Sequence, residues 1–159
     1  MRGARVVVCF CLSLFLAASG CHGKPLPQLT EVEGVVLVDG EPLPQAQIQF
    51  VPELANFGAE YNSSAVTDNQ GKFKLVCRKT GEPGAVIGMN RVVVLEYTPP
   101  ELRGRSTEAR LKLSEYQEEL KNRPIPEAYS SMGKTPLKLE VTAAQKEYMI
   151  FLARPKVDW

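Results

Sequence analysis

Histidine is almost absent from this chain, and its scarcity excludes several kinds of chemistry. The only histidine is His22, near the amino terminus. Metal sites built from nitrogen and sulfur ligands need several such side chains. Catalytic triads and dyads with a histidine base need that base within hydrogen-bond reach of the nucleophile. The sequence therefore predicts no catalytic residues of this kind, no metal site and no cofactor.

Cysteine is also scarce in the part of the chain that should fold. Of the four cysteines, Cys9, Cys11 and Cys21 lie near the amino terminus, and Cys77 alone lies further along. Exported proteins often form disulfides, but Cys77 has no second thiol in the same region. Because it follows an apolar strand pattern, we expect Cys77 to be a buried, inert thiol rather than a reactive one.

Other catalytic and ligand-binding patterns are missing as well. The glycines between residues 81 and 88 lack the spacing and the following Lys-Ser/Thr of phosphate-binding loops. Adjacent acids such as Glu118 and Glu119 are typical of a solvated helix rather than of a glycosidase pair. Residues 68–71 lack the alternating acids and the closing glutamate of a calcium loop. We therefore predict that the protein is not an enzyme.

The chain has no large excess of charge of either sign. It contains 19 Lys and Arg residues against 18 Asp and Glu, a formal net charge of +1. A protein that binds nucleic acid or an acidic polymer usually presents a strong basic excess. The sequence thus predicts no nucleic-acid partner.

Long apolar runs are absent, and the longest one lies at the amino terminus. It extends over residues 6–18, after Arg2 and Arg5. A bilayer-spanning helix needs roughly 20 apolar residues, so a transmembrane anchor is the weaker interpretation. A basic start, a short apolar stretch and small residues before a cleavage site are typical of an export signal. We predict that residues 1–20 are a signal peptide.

The small residues Ala18, Ser19 and Gly20 stand directly before Cys21. This pattern resembles the lipobox of bacterial lipoproteins, in which the third residue before the cysteine is most often leucine and alanine is a less common choice. The resemblance implies that Cys21 carries a thioether-linked diacylglycerol and becomes the first residue of the mature protein. The alternative is ordinary signal cleavage, with Cys21 merely nearby.

The lipobox resemblance also predicts a location. The chain would be exported and held on a bacterial membrane by its acyl chains, which bind more firmly together than one chain could. In Gram-negative lipoproteins, an aspartate directly after the lipidated cysteine resembles a signal for retention in the inner membrane. This chain has His22 at that position instead. If the host has two membranes, the outer one is therefore favoured.

The rest of the chain reads as a tether, one domain and a short tail. We expect a Pro-bearing tether at 21–30, a domain at 31–154 and a tail at 155–159. Apolar runs with strand character are separated by turn residues, and Asp39-Gly40 is a strong hairpin signal. The strand-like runs are 31–38, 46–51, 65–67, 72–75, 90–97, 136–141 and 147–153. About seven short strands at this spacing predict an all-β sandwich.

One segment departs from the strand pattern. Residues 98–124 are predicted to form a helical insert, with Ser106 or Thr107 as its N-cap. Its apolar stripe consists of Ala109, Leu113, Tyr116 and Leu120. The other faces are charged, so the helix should pack one side on the sandwich or lie over one end. The insert has two possible roles. It is a functional element, such as a lid or a partner-binding helix, or it is only an extended connection between two strands.

Several short motifs repeat a known pattern. They are a G-x-V strand at 34–36, D-G-x-P-L-x-x-A at 39–46, T-D-x-x-G-x-F at 67–73, and a glycine before the valine-rich strand at 88–94. This arrangement resembles the carboxypeptidase regulatory-like domains. The resemblance implies an Ig-like or transthyretin-like sandwich. Residues 125–141 also resemble small bacterial envelope lipoproteins that carry one such domain.

The motif residues have structural explanations that need no ligand. Asp39-Gly40 supplies the positive backbone dihedral of a tight turn. Asp68 should bind backbone amides of its own turn, and Gly71 should adopt a conformation that other residues avoid. Phe73 should then enter the core.

The function expected from the sequence is a non-catalytic, structural or protein-binding role in the cell envelope. The expected partners are the membrane, through the lipid anchor, and an envelope protein or polysaccharide; no oligomeric state is predicted. The alternative is a carbohydrate-binding module, which needs exposed aromatic side chains in a row. The candidate aromatics are scattered through the chain: Tyr61, Tyr97, Tyr116, Tyr129 and Trp159.

Overall fold

The computed structural model describes residues 25–55 and 57–155. The predictions for the signal peptide, for Cys21 and for residues 156–159 of the tail lie outside these described residues. Strands account for 37% of the structure and helices for 17%, so the fold is mostly β. Among the helices of the described ranges, none combines the length and the apolar character needed to cross a membrane.

The described residues form eleven strands and one α-helix. The strands are β1 (Leu29–Thr30), β2 (Glu33–Val38), β3 (Glu41–Pro42), β4 (Ala46–Pro52), β5 (Ser63–Val66), β6 (Lys72–Lys74), β7 (Val76–Cys77), β8 (Ala85–Val86), β9 (Gly88–Glu96), β10 (Lys138–Val141) and β11 (Glu147–Leu152). All seven predicted runs overlap a strand of this set. The four additional strands, β1, β3, β7 and β8, have two residues each, which is too short for an alternating pattern to show.

Two sheets contain most of the strands. The five-stranded sheet has the order β10-β9-β4-β5-β7, and the four-stranded sheet has the order β11-β2-β3, with β6 also paired to β2. The valine-rich β9 is therefore a central strand, as its apolar run predicts. β11 pairs with β2 in parallel, with Tyr148 opposite Gly34, whereas the other pairs are antiparallel.

The core lies between these two sheets. Phe50 of β4 contacts Phe73 of β6 and Tyr148 of β11, with ring centroids 6.3 and 6.4 Å apart. Inward residues alternate with outward ones along β4, β10 and β11. The central strand β9 instead buries Val92, Val93 and Val94 in succession. The packing confirms an all-β fold with a two-sheet core.

The predicted turns are present. Asp39 and Gly40 have φ values of 52° and 89° and join β2 to β3 as a two-residue hairpin. The Oδ1 of Asp68 accepts hydrogen bonds from the N–H groups of Gln70 and Lys72. Gly71 has a φ of 73°, and a Cβ there would meet the Val36 carbonyl oxygen. The turn chemistry read from these motifs is confirmed.

The fold begins before residue 31, so the tether prediction is too long. Leu29 and Thr30 form β1 and pair with Val86 and Ala85 of β8. The N–H of Ile87 also donates to the Gln28 carbonyl oxygen. The residues around Pro25 and Pro27 suggested an extended linker, and the short pairing with β8 is a tertiary contact that no local pattern reveals.

The insert contains the predicted helix, α1 (Thr107–Glu119). The Oγ of Ser106 accepts a hydrogen bond from the Ala109 N–H, which confirms Ser106 as the N-cap. The residues of the predicted stripe are half-buried, and no residue of α1 is fully buried. Burial raises the pKa of the Tyr116 hydroxyl. The helix thus packs one face lightly against the rest of the domain.

Candidate binding surface

A shallow groove crosses the outer surface of the four-stranded sheet. Its volume is about 950 Å³, and β2, β6 and β11 of this sheet and β5 and β7 of the five-stranded sheet contribute to its lining. The apolar side chains that line it include Val35, Val66, Val76 and Met149, and we call this the outer groove. Within residues 25–55 and 57–155, no group of three or more His, Cys, Asp or Glu side chains is placed to hold a metal ion.

Charged side chains surround the outer groove. The Nζ of Lys74 lies 2.8 Å from the Oε2 of Glu33. This hydrogen bond to the Glu33 carboxylate raises the pKa of Lys74 above its ordinary value of 10.5. Exposed pairs of this kind contribute little to stability because water and salt screen them. The groove therefore combines an apolar floor with a polar rim.

Two large apolar side chains of β11 point into solvent: Met149 lines the groove, and Phe151 follows it on the same face of the strand. Met149 is 63% exposed and Phe151 is 58% exposed. Their neighbours across β2 are Val35 and Leu37, which are half-buried. The intervening residues of β11 fill the core, so the alternation of the strand places Met149 and Phe151 outside. A contiguous apolar row of this kind on an outer sheet face is typical of an interaction surface.

The backbone of β11 is unpaired along one side. The carbonyl oxygens of Lys146 and Leu152 accept hydrogen bonds from the N–H groups of β2 and of the turn after it, at 2.9 and 3.0 Å. The even-numbered residues of β11 therefore face β2. The N–H and C=O groups of Glu147, Met149 and Phe151 point to the opposite side. No strand of the described chain pairs there, and we call this side the open edge.

Both ends of the open edge are closed by side chains. The Nε2 of Gln145 donates to the Glu147 carbonyl oxygen at 3.0 Å. The Tyr129 hydroxyl accepts from the Ala153 N–H at 3.1 Å. The open edge thus has a defined length, centred on Met149.

The opposite edge of the four-stranded sheet carries features that discourage pairing, and β11 lacks both of them. Lys72 and Lys74 are exposed on β6, and the Lys72 carbonyl oxygen already accepts from the Asp68 N–H. β3 ends at Pro42, which has no backbone N–H to donate. Edge lysines and prolines are common devices against unwanted strand addition. β11 contains neither.

A second cluster, which we call the polar clamp, ties the insert to the sandwich. Its members are Asp39, Glu96, Asn122, Arg123 and Arg154. Arg123 donates to the Glu96 carboxylate at 2.7 Å and to the carbonyl oxygens of Pro44 and Gln45 at 2.8 and 3.0 Å. This side chain therefore joins the end of the insert to β9 and to the loop before β4.

The other half of the polar clamp holds the Asp39-Gly40 hairpin. Arg154 donates to the Asp39 carboxylate at 2.7 Å and to the Asn122 Oδ1 at 2.8 Å. The Asn122 amide donates to the Glu41 carbonyl oxygen at 2.9 Å. The sequence predicts Asp39 only as a turn residue and does not predict the other four members, because each contact joins positions far apart in the chain and no spacing signals them.

The predicted aromatic candidates do not form a row among the described residues. Tyr61 and Tyr129 are in the core, at 5% and 8% exposure. Tyr97 and Tyr116 are half-buried, and Trp159 lies outside the described residues. Cys77 is fully buried beside Tyr61, which confirms its predicted burial. Cys21 lies outside the described residues.

Comparison of the chain with protein-family models, with curated proteins and with solved structures finds no match.

Proposed function

We propose that this protein is a non-catalytic, lipid-anchored component of the cell envelope that binds another protein. The binding surface is the outer groove together with the open edge of β11. The observation that carries the proposal is the exposed pair Met149 and Phe151 beside unpaired backbone groups. Burial of exposed apolar side chains and pairing of free backbone groups both favour association.

The finer fold that we propose is a transthyretin-like sandwich of the carboxypeptidase regulatory-like type. Support comes from the motif residues, which occupy turn and core positions. Asp68 and Gly71 build the turn before β6, and Phe73 packs on Phe50 in the core. A fold of this kind serves many unrelated proteins, so the binding role rests on the surface and not on the fold.

The location that we propose is a bacterial membrane, the outer one if the host has two, reached through export and lipidation of Cys21. Support comes from the basic and apolar start of the chain and from Ala18, Ser19 and Gly20 before the cysteine. An anchored domain meets its partner within the thin layer near the membrane, so a modest surface can suffice.

Protein binding has better support than carbohydrate binding. A sugar-binding platform needs aromatic rings open to solvent. Tyr61 and Tyr129 are instead packed in the core. The exposed apolar groups on this surface are aliphatic and sulfur-containing side chains and one phenylalanine, which suit a protein partner.

Site-specific photo-crosslinking in intact cells tests the proposal. A benzophenone amino acid replaces Met149 or Val76 in the binding surface, and Leu111, which is 60% exposed on α1, serves as the matched control. We expect a discrete crosslinked protein at positions 149 and 76 and none at 111. Equal crosslinking at all three positions, or none at 149 and 76, would contradict the proposal.

A further inference from the structure

We infer that the open edge of β11 binds an extended peptide segment as an added strand. The segment runs antiparallel to β11 and contains two alternating apolar residues followed by a lysine or arginine, in the order apolar-x-apolar-x-basic. This inference rests on the proposed protein-binding function and specifies how the partner is recognised.

The backbone of β11 requires an extended partner. Met149 and Phe151 present both their N–H and C=O groups on the open edge, and Glu147 presents its N–H, because the carbonyl oxygens of Lys146 and Leu152 accept hydrogen bonds on the β2 side. Only another extended backbone offers donors and acceptors at that spacing. A helix or a globular surface would leave these groups unpaired.

The length of the partner follows from the closed ends. The Gln145 side chain occupies the Glu147 carbonyl at one end, and Tyr129 holds the Ala153 N–H at the other. A segment of about five residues covers the interval between them, because strands pair residue by residue. Longer segments would have to leave the edge at these two points.

The side chains of the edge indicate which residues the partner carries. Met149 and Phe151 point to the outer face and are more than half exposed. In an antiparallel pair, directly opposite side chains on one face are in contact. Apolar partner residues opposite these two positions would cover them and extend the apolar row that begins at Val35 and Leu37.

The charge of Glu147 indicates which residue the peptide carries at its third outward-facing position. Glu147 is exposed on the same face, and in the part of the chain that the structure describes it forms no ion pair. The nearby acids Glu31 and Glu33 are already paired with Lys146 and Lys74. A lysine or arginine opposite Glu147 would complete the pattern, since opposite charges across strands attract.

A second copy of this chain fits the open edge less well. Antiparallel self-pairing that uses all three free residues would centre on Met149 and place Glu147 against Phe151 of the other copy. The carboxylate would then face an apolar ring instead of a cation. Self-association is therefore an outcome that the test must recognise.

The test uses the purified full chain in detergent and fluorescent peptides in anisotropy titrations. The probe is TVTVTKT, and the comparison peptides are TVTVTET and a TVTVTKT methylated on both valine nitrogens. We expect the probe to bind and both comparison peptides to bind about tenfold more weakly or worse, because one loses the charge pair and the other loses backbone donors. Equal binding of the methylated peptide would overturn strand addition.

Exchanging the charge at position 147 gives a second test. Because it compares the binding of two peptides to the same variant, a general loss of stability cannot produce the expected result. Glu147→Lys should reverse the preference, so that TVTVTET binds more tightly than TVTVTKT. Glu140→Lys, an exposed acid on β10, is the matched control and should keep the original preference. An unchanged preference in Glu147→Lys, or absence of binding by every peptide, would refute the inference.

The protein-binding role and the strand-addition inference can be tested separately. If photo-crosslinks form at position 149 in cells while no peptide binds, protein binding stands and strand addition is wrong. If the full chain instead forms a dimer by sedimentation and Glu147→Lys changes only that dimer, the occupant is a second copy, which also refutes the peptide inference.

Discussion

The side chain of Thr67 joins two strands of the five-stranded sheet through one buried hydroxyl. Its Oγ1 accepts a hydrogen bond from the Ala46 N–H at 2.9 Å and donates to the Leu43 carbonyl oxygen at 2.7 Å. The residue is 1% exposed. The hydroxyl therefore satisfies one donor and one acceptor where the chain enters β4, and water cannot replace it there.

Replacement of Thr67 by valine should destabilise the protein strongly for so small a change. Thr67→Val keeps the shape but leaves a buried N–H and a buried carbonyl without their partner, so we expect a loss of about 2 kcal/mol in the free energy of unfolding. Urea denaturation followed by circular dichroism measures it. Thr67→Ser retains the hydroxyl and should lose clearly less; equal losses in the two variants would show that the methyl group, not the hydrogen bonds, is responsible.

Gly34 shows a different requirement at a single residue. A Cβ at this position would lie 1.9 Å from the Tyr148 carbonyl oxygen and 3.0 Å from the Phe73 ring. The glycine in the G-x-V motif therefore permits the close parallel approach of the β11 backbone and the packing of the Phe73 ring. The sequence motif contains this glycine, but only the contact with β11 explains why a residue without a side chain is needed at position 34.

The helical insert is held mainly by its ends. No residue of α1 is fully buried, so packing of the helix itself contributes modestly. Arg123, by contrast, has a side chain that is only 13% exposed and binds Glu96. Because the same guanidinium also reaches the carbonyls before β4, the polar clamp fixes the point where the insert rejoins the sandwich.

Removal of the Arg123 side chain should release the insert while the sandwich stays folded. Arg123→Ala breaks hydrogen bonds to a charged group, and we expect a stability loss of about 2 kcal/mol. Hydrogen exchange should show faster exchange in α1 than in β4 or β9. Arg110→Ala, an exposed position on α1, is the control. Uniform loss of protection across both sheets would contradict this role.

The strand β11 was predicted from the sequence, but its position at a sheet edge depends on its pairing with β2. Its apolar run predicts a strand, and only the structure separates inward Tyr148 and Ile150 from outward Met149 and Phe151. Its parallel pairing with β2, more than a hundred residues earlier, could not be predicted because it depends on the sheet order. The open edge is a consequence of that order.

At the scale of the whole molecule, the proposed anchor governs where the binding surface acts. Cys21→Ser removes the thiol that would carry the lipid, so we expect loss of metabolic labelling with fatty acid and loss of the protein from the membrane fraction. Cys77→Ser is the matched control and should keep both properties. Unchanged fractionation and labelling of Cys21→Ser would show that the anchor prediction is wrong.

The sequence by itself determined the features that depend on near neighbours along the chain. Short apolar runs, some of them alternating, located seven strands, and a stripe at helical spacing located α1. Asp39-Gly40 and Asp68 identified their turns because those hydrogen bonds close within a few residues. The tertiary structure decided the rest: the place of β11 at a sheet edge, the hydrogen bond that Tyr129 accepts from Ala153, and the polar clamp. Each of these depends on contacts between residues distant in sequence, and sheet order, which sets those contacts, is not encoded in any local pattern.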